Sequence, residues 1–406
     1  MRRKIKQISI LMSFLLVFSS CGNPRETSNH ETQEGTLSSD RQTTKAVEKN
    51  YVDFCVFGDN LIHEKILRFA NQNSGGDGSV ESFNKGFDFK PLYSFVKSVV
   101  EEADFSICNQ SSLVYASSDL STLSGYPKFH SPKELADDLI EIGFDGINIG
   151  NNHLLDMGEN GMYHSVRFWN EKDVFLFGGY ESVEEKQKVE SKVIRIENIK
   201  VAVLSYTATT NGLSAGKNTP IPYFTLNRTA ILKKMLSDEV SACKSISDAV
   251  IVLMNWGNQE GYEPGEIQKE TAKILCEAGA DVIIGTGPKV IQPIQWIESE
   301  KQNHKTLCAY SLGNFMCTMD YMENLLGGYL KFRVDKEKIC YISQISFHPI
   351  IVFYNENYSD IRVLPLEEYT EDLHILHGSN LKFGFGDLSW FEKTVRKYIS
   401  KEFYTP

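Results

Sequence analysis

Several apolar runs of this sequence are followed directly by side chains that carry metal-binding atoms. Asp59 follows the run YVDFCVF, and His63 lies just beyond it. The run FDGINIG is followed by Asn152, His153 and Asp156. Carboxylate oxygens, amide oxygens and imidazole nitrogens suit a hard or borderline divalent ion. If the runs are strands of one sheet, these residues predict a polar site where the strands end.

Other runs end in polar or aromatic residues that are candidates for binding a substrate. These residues are Asn109, Ser111, Asn255, Trp256 and Lys289. Trp256 allows two interpretations, because an aromatic side chain at a strand end is either core or a stacking wall for a ligand. Lys289 is either a solvated loop residue or a cation inside the site.

The elements that must position these residues follow a strand–turn–helix pattern. The sequence predicts strands at YVDFCVF, ADFSICN, FDGINIG, VFLFGG, DAVIVLMNWG and ADVIIGTG, and helices from about 61, at 91–102, 132–142, 158–171, 229–245 and 266–278. The runs SKVIRIE and KVAVLSYT flank Glu197-Asn198, which predicts a hairpin. Shorter strands follow, and residues 371–401 predict a helix. This order is typical of an α/β fold with two sheets packed face to face and helices outside.

Ligand sites of open α/β sheets lie at the carboxyl ends of the strands. We therefore expect five strand-end residues to surround one pocket: Asp59, Asn109, Asn152, Asn255 and Gly287. Asp59 and its neighbour His63 also allow other interpretations. Asp59 could be a helix N-cap, and His63 could lie on a helix surface.

The chain resembles the CapA family of poly-γ-glutamate capsule synthesis proteins, which belongs with the calcineurin-like metallophosphatases. The resemblance rests on GDNLIH, SGYPKFHSP, GFDGINIGNNHLLDMGENG, ADVIIGTGPKVIQPIQ and YSLGNF, and spans roughly residues 51–320. It implies a four-layer α/β/β/α sandwich of the metallophosphatase type. It also implies that His153 is a general acid oriented by Asp156. The alternative for this pair is a structural brace.

The chain departs from the family at positions that usually carry metal ligands. Ser111 stands where the second motif of the family usually has a Glu. The HWG motif of the family reads Asn255-Trp256-Gly257 here, followed by Asn258 and Gln259. Gly287 and Lys289 stand where the GxHPH motif of the family has its two histidines. A two-metal site needs bridging anionic oxygens, so we do not expect two ions. One Mn or Zn ion at Asp59, His63 and Asn152 stays open as an alternative. The other alternative is a metal-free cradle in which Lys289 pairs with Asp59.

The N-terminus predicts export. Arg2, Arg3, Lys4 and Lys6 precede an apolar run too short to span a membrane, and small residues precede Cys21. This layout is typical of a signal peptide, residues 1–20, followed by a lipidated Cys21. Residues 21–50 are polar and predict a flexible linker, residues 51–365 form the expected CapA-like domain, and residues 366–406 form a helical extension. We expect a membrane lipoprotein on the extracytoplasmic face.

Composition and charge restrict the partners. The chain has 406 residues, 41% of them hydrophobic, and a net charge of −11. This composition is globular, and the acidic balance argues against nucleic acid. The seven cysteines after Cys21 lie mostly in apolar runs, which predicts buried thiols. The expected partners are the membrane, through the lipid, and the capsule or cell-wall polymer machinery. Two functions stay open: a CapA-type enzyme and a non-catalytic scaffold lipoprotein.

Overall fold

Strands and helices alternate along residues 49–224, 229–257, 260–301, 303–384 and 386–406, which the computed structural model describes. The strands are β1 (Tyr51–Asn60), β2 (Phe105–Gln110), β3 (Leu113–Val114), β4 (His130–Ser131), β5 (Gly146–Asn148), β6 (Phe175–Phe177), β7 (Val193–Ile196), β8 (Ile199–Thr207), β9 (Ala249–Asn255), β10 (Val282–Thr286), β11 (Ile291–Glu298), β12 (Lys305–Leu312), β13 (Asn314–Met316), β14 (Leu326–Lys336), β15 (Cys340–Tyr354) and β16 (Ile361–Pro365). The helices are α1 (Glu64–Asn73), α2 (Lys97–Glu102), α3 (Glu134–Ile142), α4 (Gly158–Asn170), α5 (Val183–Gln187), α6 (Thr229–Ile246), α7 (Glu266–Ala278), α8 (Met322–Leu325), α9 (Glu371–Leu376), α10 (Gly378–Phe383) and α11 (Ser389–Tyr398). Short 3₁₀ helices lie at Val80–Lys85, Lys90–Tyr93, Leu120–Thr122, Glu190–Lys192 and Leu366–Glu368.

Two large sheets carry the fold. The first has the order β16-β15-β14-β1-β2-β5-β6, and β13 also pairs with β1. The strands β1, β2, β5 and β6 are parallel, and β14 to β16 are antiparallel. The second sheet has the order β11-β12-β10-β9-β8-β7, with β12, β10, β9 and β8 parallel. The parallel strands of each sheet therefore end at a common edge.

Side-chain alternation on β1 shows which layers surround the first sheet. Val52, Phe54 and Val56 pack in a cluster that contains residues of both sheets. Cys55 and Phe57 point the other way, into a cluster with residues of α1, α3 and α4. Because successive residues of a strand face opposite sides, the first sheet has helices on one face and the second sheet on the other.

The second sheet is layered in the same way. On β9, Ile251 and Leu253 pack between the sheets, whereas Val250 and Val252 pack with residues of α6 and α7. The order of layers is therefore α/β/β/α, which confirms the expected sandwich. None of the helices in the described ranges has the length and apolar content needed to cross a bilayer.

The element predictions fail mainly at helix ends. The first helix begins at Glu64 rather than near 61, because Leu61 N still bonds Met316 O at 2.9 Å as an extension of the strand. The predicted helix 91–102 is a 3₁₀ turn followed by α2. Its start is fixed by Phe89 N, which donates to Asp138 Oδ2 at 2.7 Å, and 3₁₀ turns are common at such ends.

The predicted C-terminal helix is three helices, α9 to α11. The breaks fall at His377 and at Gly384, which has a φ of 67°. Phe391, Val395, Ile399 and others of this segment belong to the core cluster that also contains residues of both sheets. The hairpin around Glu197-Asn198 is confirmed. The seven cysteines of the described ranges are free thiols, and all but Cys340 are buried. The predicted signal peptide, Cys21 and most of the linker lie outside the described residues.

Candidate functional site

Asp59 is the centre of a buried polar network at the carboxyl end of β1. Its Oδ1 accepts hydrogen bonds from Asn109 Nδ2 at 2.6 Å and from Ser111 Oγ at 2.5 Å. Its Oδ2 accepts the Gly287 N–H at 3.1 Å and lies 3.0 Å from Lys289 Nζ. Asp59 is fully buried, and an unpaired carboxylate at such depth is costly. These four groups stabilise its charge.

Lys289 supplies the positive charge of this network. Its side chain is 4% exposed, so it is not a solvated loop residue. Its backbone has a φ of 65°, and its carbonyl accepts from Asn314 Nδ2 at 3.3 Å and Asn324 Nδ2 at 3.2 Å. In the described structure Nζ lacks a hydrogen bond of regular geometry. Asp59 therefore acts as its counter-charge.

Strand register explains why these residues meet. Asp59 lies opposite Asn109 in the parallel pair of β1 and β2, and opposite Asn314 in the pair of β1 and β13. The end of β1 runs close to the connection between β12 and β13, since a Cβ on Gly58 would lie 2.2 Å from Gly313 O. Only glycine fits at position 58 without a shift of the backbone.

Asn152 and Asn255 join the two sheets beside this network. Asn255 Oδ1 accepts from Asn152 N and from Thr207 Oγ1, both at 3.2 Å. A second bridge runs from Ser205 Oγ to Asn148 Oδ1 at 2.6 Å. The Gly287–Asp59 bond is a third bridge. The five residues expected around one pocket therefore lie in one continuous cluster at the carboxyl ends of both sheets.

His153 and Asp156 form a dyad at the edge of the cluster. His153 Nδ1 lies 2.8 Å from Asp156 Oδ2, which also accepts the Phe129 N–H at 2.7 Å. A carboxylate is an acceptor, so Nδ1 carries the proton and Nε2 is left as a base. The Phe129 ring meets the His153 ring edge-on at 4.7 Å. Asn211 Oδ1 accepts a hydrogen bond from Asn152 Nδ2 at 3.1 Å, and Asn211 Nδ2 lies 3.3 Å from His153 Nδ1.

His63 lies on the other side of Phe129, with ring centroids 5.2 Å apart. Its Nδ1 accepts the Thr318 N–H at 3.2 Å, which places the ring proton on Nε2. Burial, followed by the positive charge of Lys289, lowers the pKa of His63 to about 4. His63 is therefore neutral at pH 7, and it precedes α1 at the N-cap position without a side-chain cap bond.

Trp256 is a core residue. It is 3% exposed, it packs in the cluster of α6 and α7, and its Nε1 donates to Tyr310 O at 2.9 Å. Its ring therefore does not form a surface on which a ligand could stack, and the core interpretation is the one that fits. Asn258 and Gln259, which follow Gly257, lie outside the described residues.

The described residues do not fit the divalent ion that the family resemblance implies. Asp59 Oδ1 already accepts two hydrogen bonds, and Oδ2 accepts one hydrogen bond and forms an ion pair with the Lys289 ammonium. A dication at Asp59 would have to displace this ammonium or be repelled by it. Gly287 has a φ of 106°, and a Cβ there would lie 2.8 Å from Trp256 O, so a histidine ligand would strain the backbone. The described ranges contain no group of three His, Cys, Asp or Glu side chains placed to hold a metal.

Sequence reasoning missed four residues that shape the site: Asn148, Thr207, Asn211 and Phe129. Asn148 carried a signal, because it is a polar residue at the end of the apolar run FDGINIG. Thr207 ends β8 in the same way. Asn211 and Phe129 lie in loops, where no periodic pattern marks their position.

A family profile described as "Bacterial capsule synthesis protein PGA_cap" matches residues 53–319, a range that contains every residue of this cluster. Two curated relatives are similar in sequence. The PGA biosynthesis protein CapA of Bacillus subtilis (strain 168) is 26% identical over 237 residues, which are 57% of each chain. The capsule biosynthesis protein CapA of Bacillus anthracis is 30% identical over 177 residues, 43% of this chain and 41% of the relative. This chain thus spans about half the length of these relatives.

Two solved structures resemble the chain at low sequence identity. The Haemophilus influenzae NAD nucleotidase is 12% identical with a TM-score of 0.42, covering 86% of this chain and 57% of that chain. A putative 5'-nucleotidase from Staphylococcus aureus is 14% identical with a TM-score of 0.41, covering 84% and 58%.

Proposed function

Because this chain belongs to the bacterial capsule synthesis family PGA_cap, we propose that it acts in the biosynthesis of a capsule or related cell-envelope polymer, with poly-γ-glutamate as the first candidate. The family match supports this proposal over residues 53–319. The curated relatives, which are CapA proteins of capsule or PGA biosynthesis, support it further.

The site of this protein works without a divalent ion. The observation that carries this proposal is the Lys289 ammonium 3.0 Å from Asp59 Oδ2, buried with it. Lys289 stands at a position where the family resemblance predicts a histidine that binds metal. The groups left for chemistry are His153 Nε2, oriented by Asp156, and the unpartnered Asn152 Oδ1. They suit removal of a proton from a bound polymer unit, with His153 Nε2 as the base.

A non-catalytic scaffold is the second candidate function. It is favoured by the way in which the polar groups of the site bond one another: Asp59, Asn109, Ser111, Asn148 and Asn255 all find partners inside the cluster. Such a network stabilises the fold whether or not a substrate binds. In this case the protein keeps the family fold and holds other components of the polymer machinery.

Metal analysis and complementation test the proposal. Purified protein should contain less than about 0.1 equivalent of Mn or Zn, and calorimetry should show no tight binding of either. Tight binding of one or two ions by the unmodified protein would contradict the metal-free site. In a strain lacking the gene, the wild-type copy should restore the capsule. His153→Gln separates the two candidates, because an enzyme loses complementation and a scaffold keeps it. Full capsule in the deletion strain would refute the role itself.

Anchoring at the membrane is a separate part of the proposal. Cys21 follows small residues after a basic and apolar leader, which supports lipidation at the extracytoplasmic face. Lipidation supplies most of the membrane affinity of such a protein. Cys21→Ser should therefore release the protein into the medium. A variant that stays in the membrane fraction would contradict the lipid anchor.

A further inference from the structure

The connection after β8 is a compact loop that crosses from the second sheet towards the first. Its two ends meet, because Thr207 N donates to Pro222 O at 2.9 Å. Surface loops that are closed at the base in this way often carry function. Leu213 and Ala215 lie partly buried against the cluster that contains residues of α1, α3 and α4. Residues 208–221 therefore start on one sheet and rest on the helix layer of the other.

The tip of this loop covers the proposed base. Asn211 and Gly212 have φ of 54° and 76°, as in the tight turns that Asn-Gly pairs favour. Asn211 is exposed, whereas His153 and Asn152 are 7% and 5% exposed. The amide of Asn211 contacts both of these buried residues, at 3.3 Å from His153 Nδ1 and 3.1 Å from Asn152 Nδ2. The loop tip therefore stands between solvent and the base.

A carboxylate of α4 holds the second half of the loop. Glu159 accepts the Gly216 N–H at 2.7 Å with Oε1 and the Thr219 hydroxyl at 2.5 Å with Oε2. The Thr219 hydroxyl, followed by the Gly216 N–H, lowers the pKa of Glu159, so both hydrogen bonds are charge-assisted at neutral pH. Within the described structure, the other hydrogen bonds that leave the loop from residues 210–219 are the two of Asn211. Glu159 is therefore the main polar attachment of this segment.

The covered site contains an acceptor that lacks a donor. Asn152 Oδ1 is buried and has no hydrogen-bond partner among the described residues. Such an acceptor is costly, and an N–H or O–H group of a ligand would pair with it. Phe129 and Asp156, which also contact His153, are themselves buried. The exposed tip at Asn211 is therefore the part of the wall that can move to admit a ligand.

We infer that residues 208–221 form a lid over His153, and that Glu159 is the positioning residue that keeps this lid closed. Opening of the lid admits a polymer unit to His153 Nε2 and Asn152 Oδ1. Closing returns Asn211 to its contacts and shields the base from water. What the lid admits rests on the proposed function, whereas its closure can be measured on the protein without a ligand.

Reaction with diethyl pyrocarbonate measures this closure, because the reagent acylates neutral imidazole nitrogens that it can reach. Peptide mass spectrometry gives the rate at each histidine. In the unmodified protein, His153 should react at least about tenfold more slowly than the exposed His164. Glu159→Ala removes both bonds to the loop, and should raise the rate at His153 by about fivefold or more. Glu159→Gln should stay within about twofold of the unmodified protein, because an amide can accept the Gly216 N–H and donate to the Thr219 hydroxyl.

Two controls separate the lid from general loosening of the fold. Glu171→Ala removes an exposed carboxylate at the other end of α4, and should leave the rate at His153 within about twofold. His377 is fully buried and should stay protected in each variant. Where Glu159→Ala also exposes His377, Asn211→Ala decides, because it removes the tip and keeps the attachment at Glu159. It should raise the rate at His153 by about fivefold while His377 stays protected.

Four results would overturn the lid. They are a His153 that already reacts as fast as His164 in the unmodified protein, equal rates in Glu159→Ala and the unmodified protein, equal rates in Glu159→Ala and Glu159→Gln, and an equal rise in Glu171→Ala. An unchanged rate at His153 in Asn211→Ala would do the same. Each result is independent of complementation by His153→Gln, so the lid and the proposed function can fail separately.

Discussion

The buried pair of Lys289 and Asp59 should be worth several kcal/mol when one partner is removed. The side chains are 4% and 0% exposed and 3.0 Å apart. Lys289→Met keeps most of the aliphatic stem and removes the charge. Asp59 keeps three neutral donors, so we expect a loss at the lower end of the usual range for a broken buried pair, about 3 kcal/mol. Asp59→Asn leaves a buried ammonium without a counter-charge, and should cost about 4–5 kcal/mol.

The double variant gives the decisive number. Neither charge remains in Lys289→Met/Asp59→Asn, so its loss should be smaller than the sum of the single losses by about 2–3 kcal/mol. Urea unfolding followed by circular dichroism measures all three variants. Lys382→Met is the control, because Lys382 and Asp320 are 2.9 Å apart but 57% and 39% exposed. It should cost less than about 1 kcal/mol. Additive single losses, or equal losses in Lys289→Met and Lys382→Met, would refute the reasoning.

Three further outcomes follow from single contacts. Because burial lowers the pKa of His63 from 6.5 to about 4, the unfolded chain binds a proton in this window that the folded chain does not. Stability should therefore fall as pH drops from 6.5 to 4, by at most about 3 kcal/mol more than in His63→Asn; parallel curves for both proteins in urea unfolding would contradict this. Gly287→Ala should lower the thermal midpoint more than Gly75→Ala, because both sites have positive φ but only the new Cβ at 287 meets a backbone oxygen within 3 Å. Trp256→Phe should cost about 1–3 kcal/mol in unfolding experiments through its lost bond to Tyr310 O, and should leave complementation unchanged, whereas loss of complementation with intact folding would return Trp256 to the site.

The sequence was a good guide where a strand ends in a polar residue. Asp59, Asn109, Asn152 and Asn255 each follow an apolar run, and parallel strands bring such ends to one edge. The pairing of Lys289 with Asp59 was one of two open interpretations, because the spacing of residues does not show whether a loop lysine is buried. Register and burial decide that question, and both arise from contacts between the sheets.

Other features were beyond prediction for a physical reason. The contact of Asn211 with His153 depends on the path of a long loop after β8. The breaks in the C-terminal helix depend on Gly384, whose positive φ ends α10, and on packing of the segment against the core cluster.

Three hydrogen bonds join the two sheets: a partly buried bond from Gly287 to Asp59, and buried bonds from Asn152 to Asn255 and from Ser205 to Asn148. A mutation that removes the accepting oxygen of Asp59, Asn255 or Asn148 would loosen the contact between the two sheets, whatever reaction the protein performs. Natural selection for folding alone can therefore preserve these motif residues through generations in which no chemistry depends on them. Retention of Asp59, Asn148 and Asn255 in a relative would thus be a record of shared architecture, and activity has to be inferred from other residues of the site.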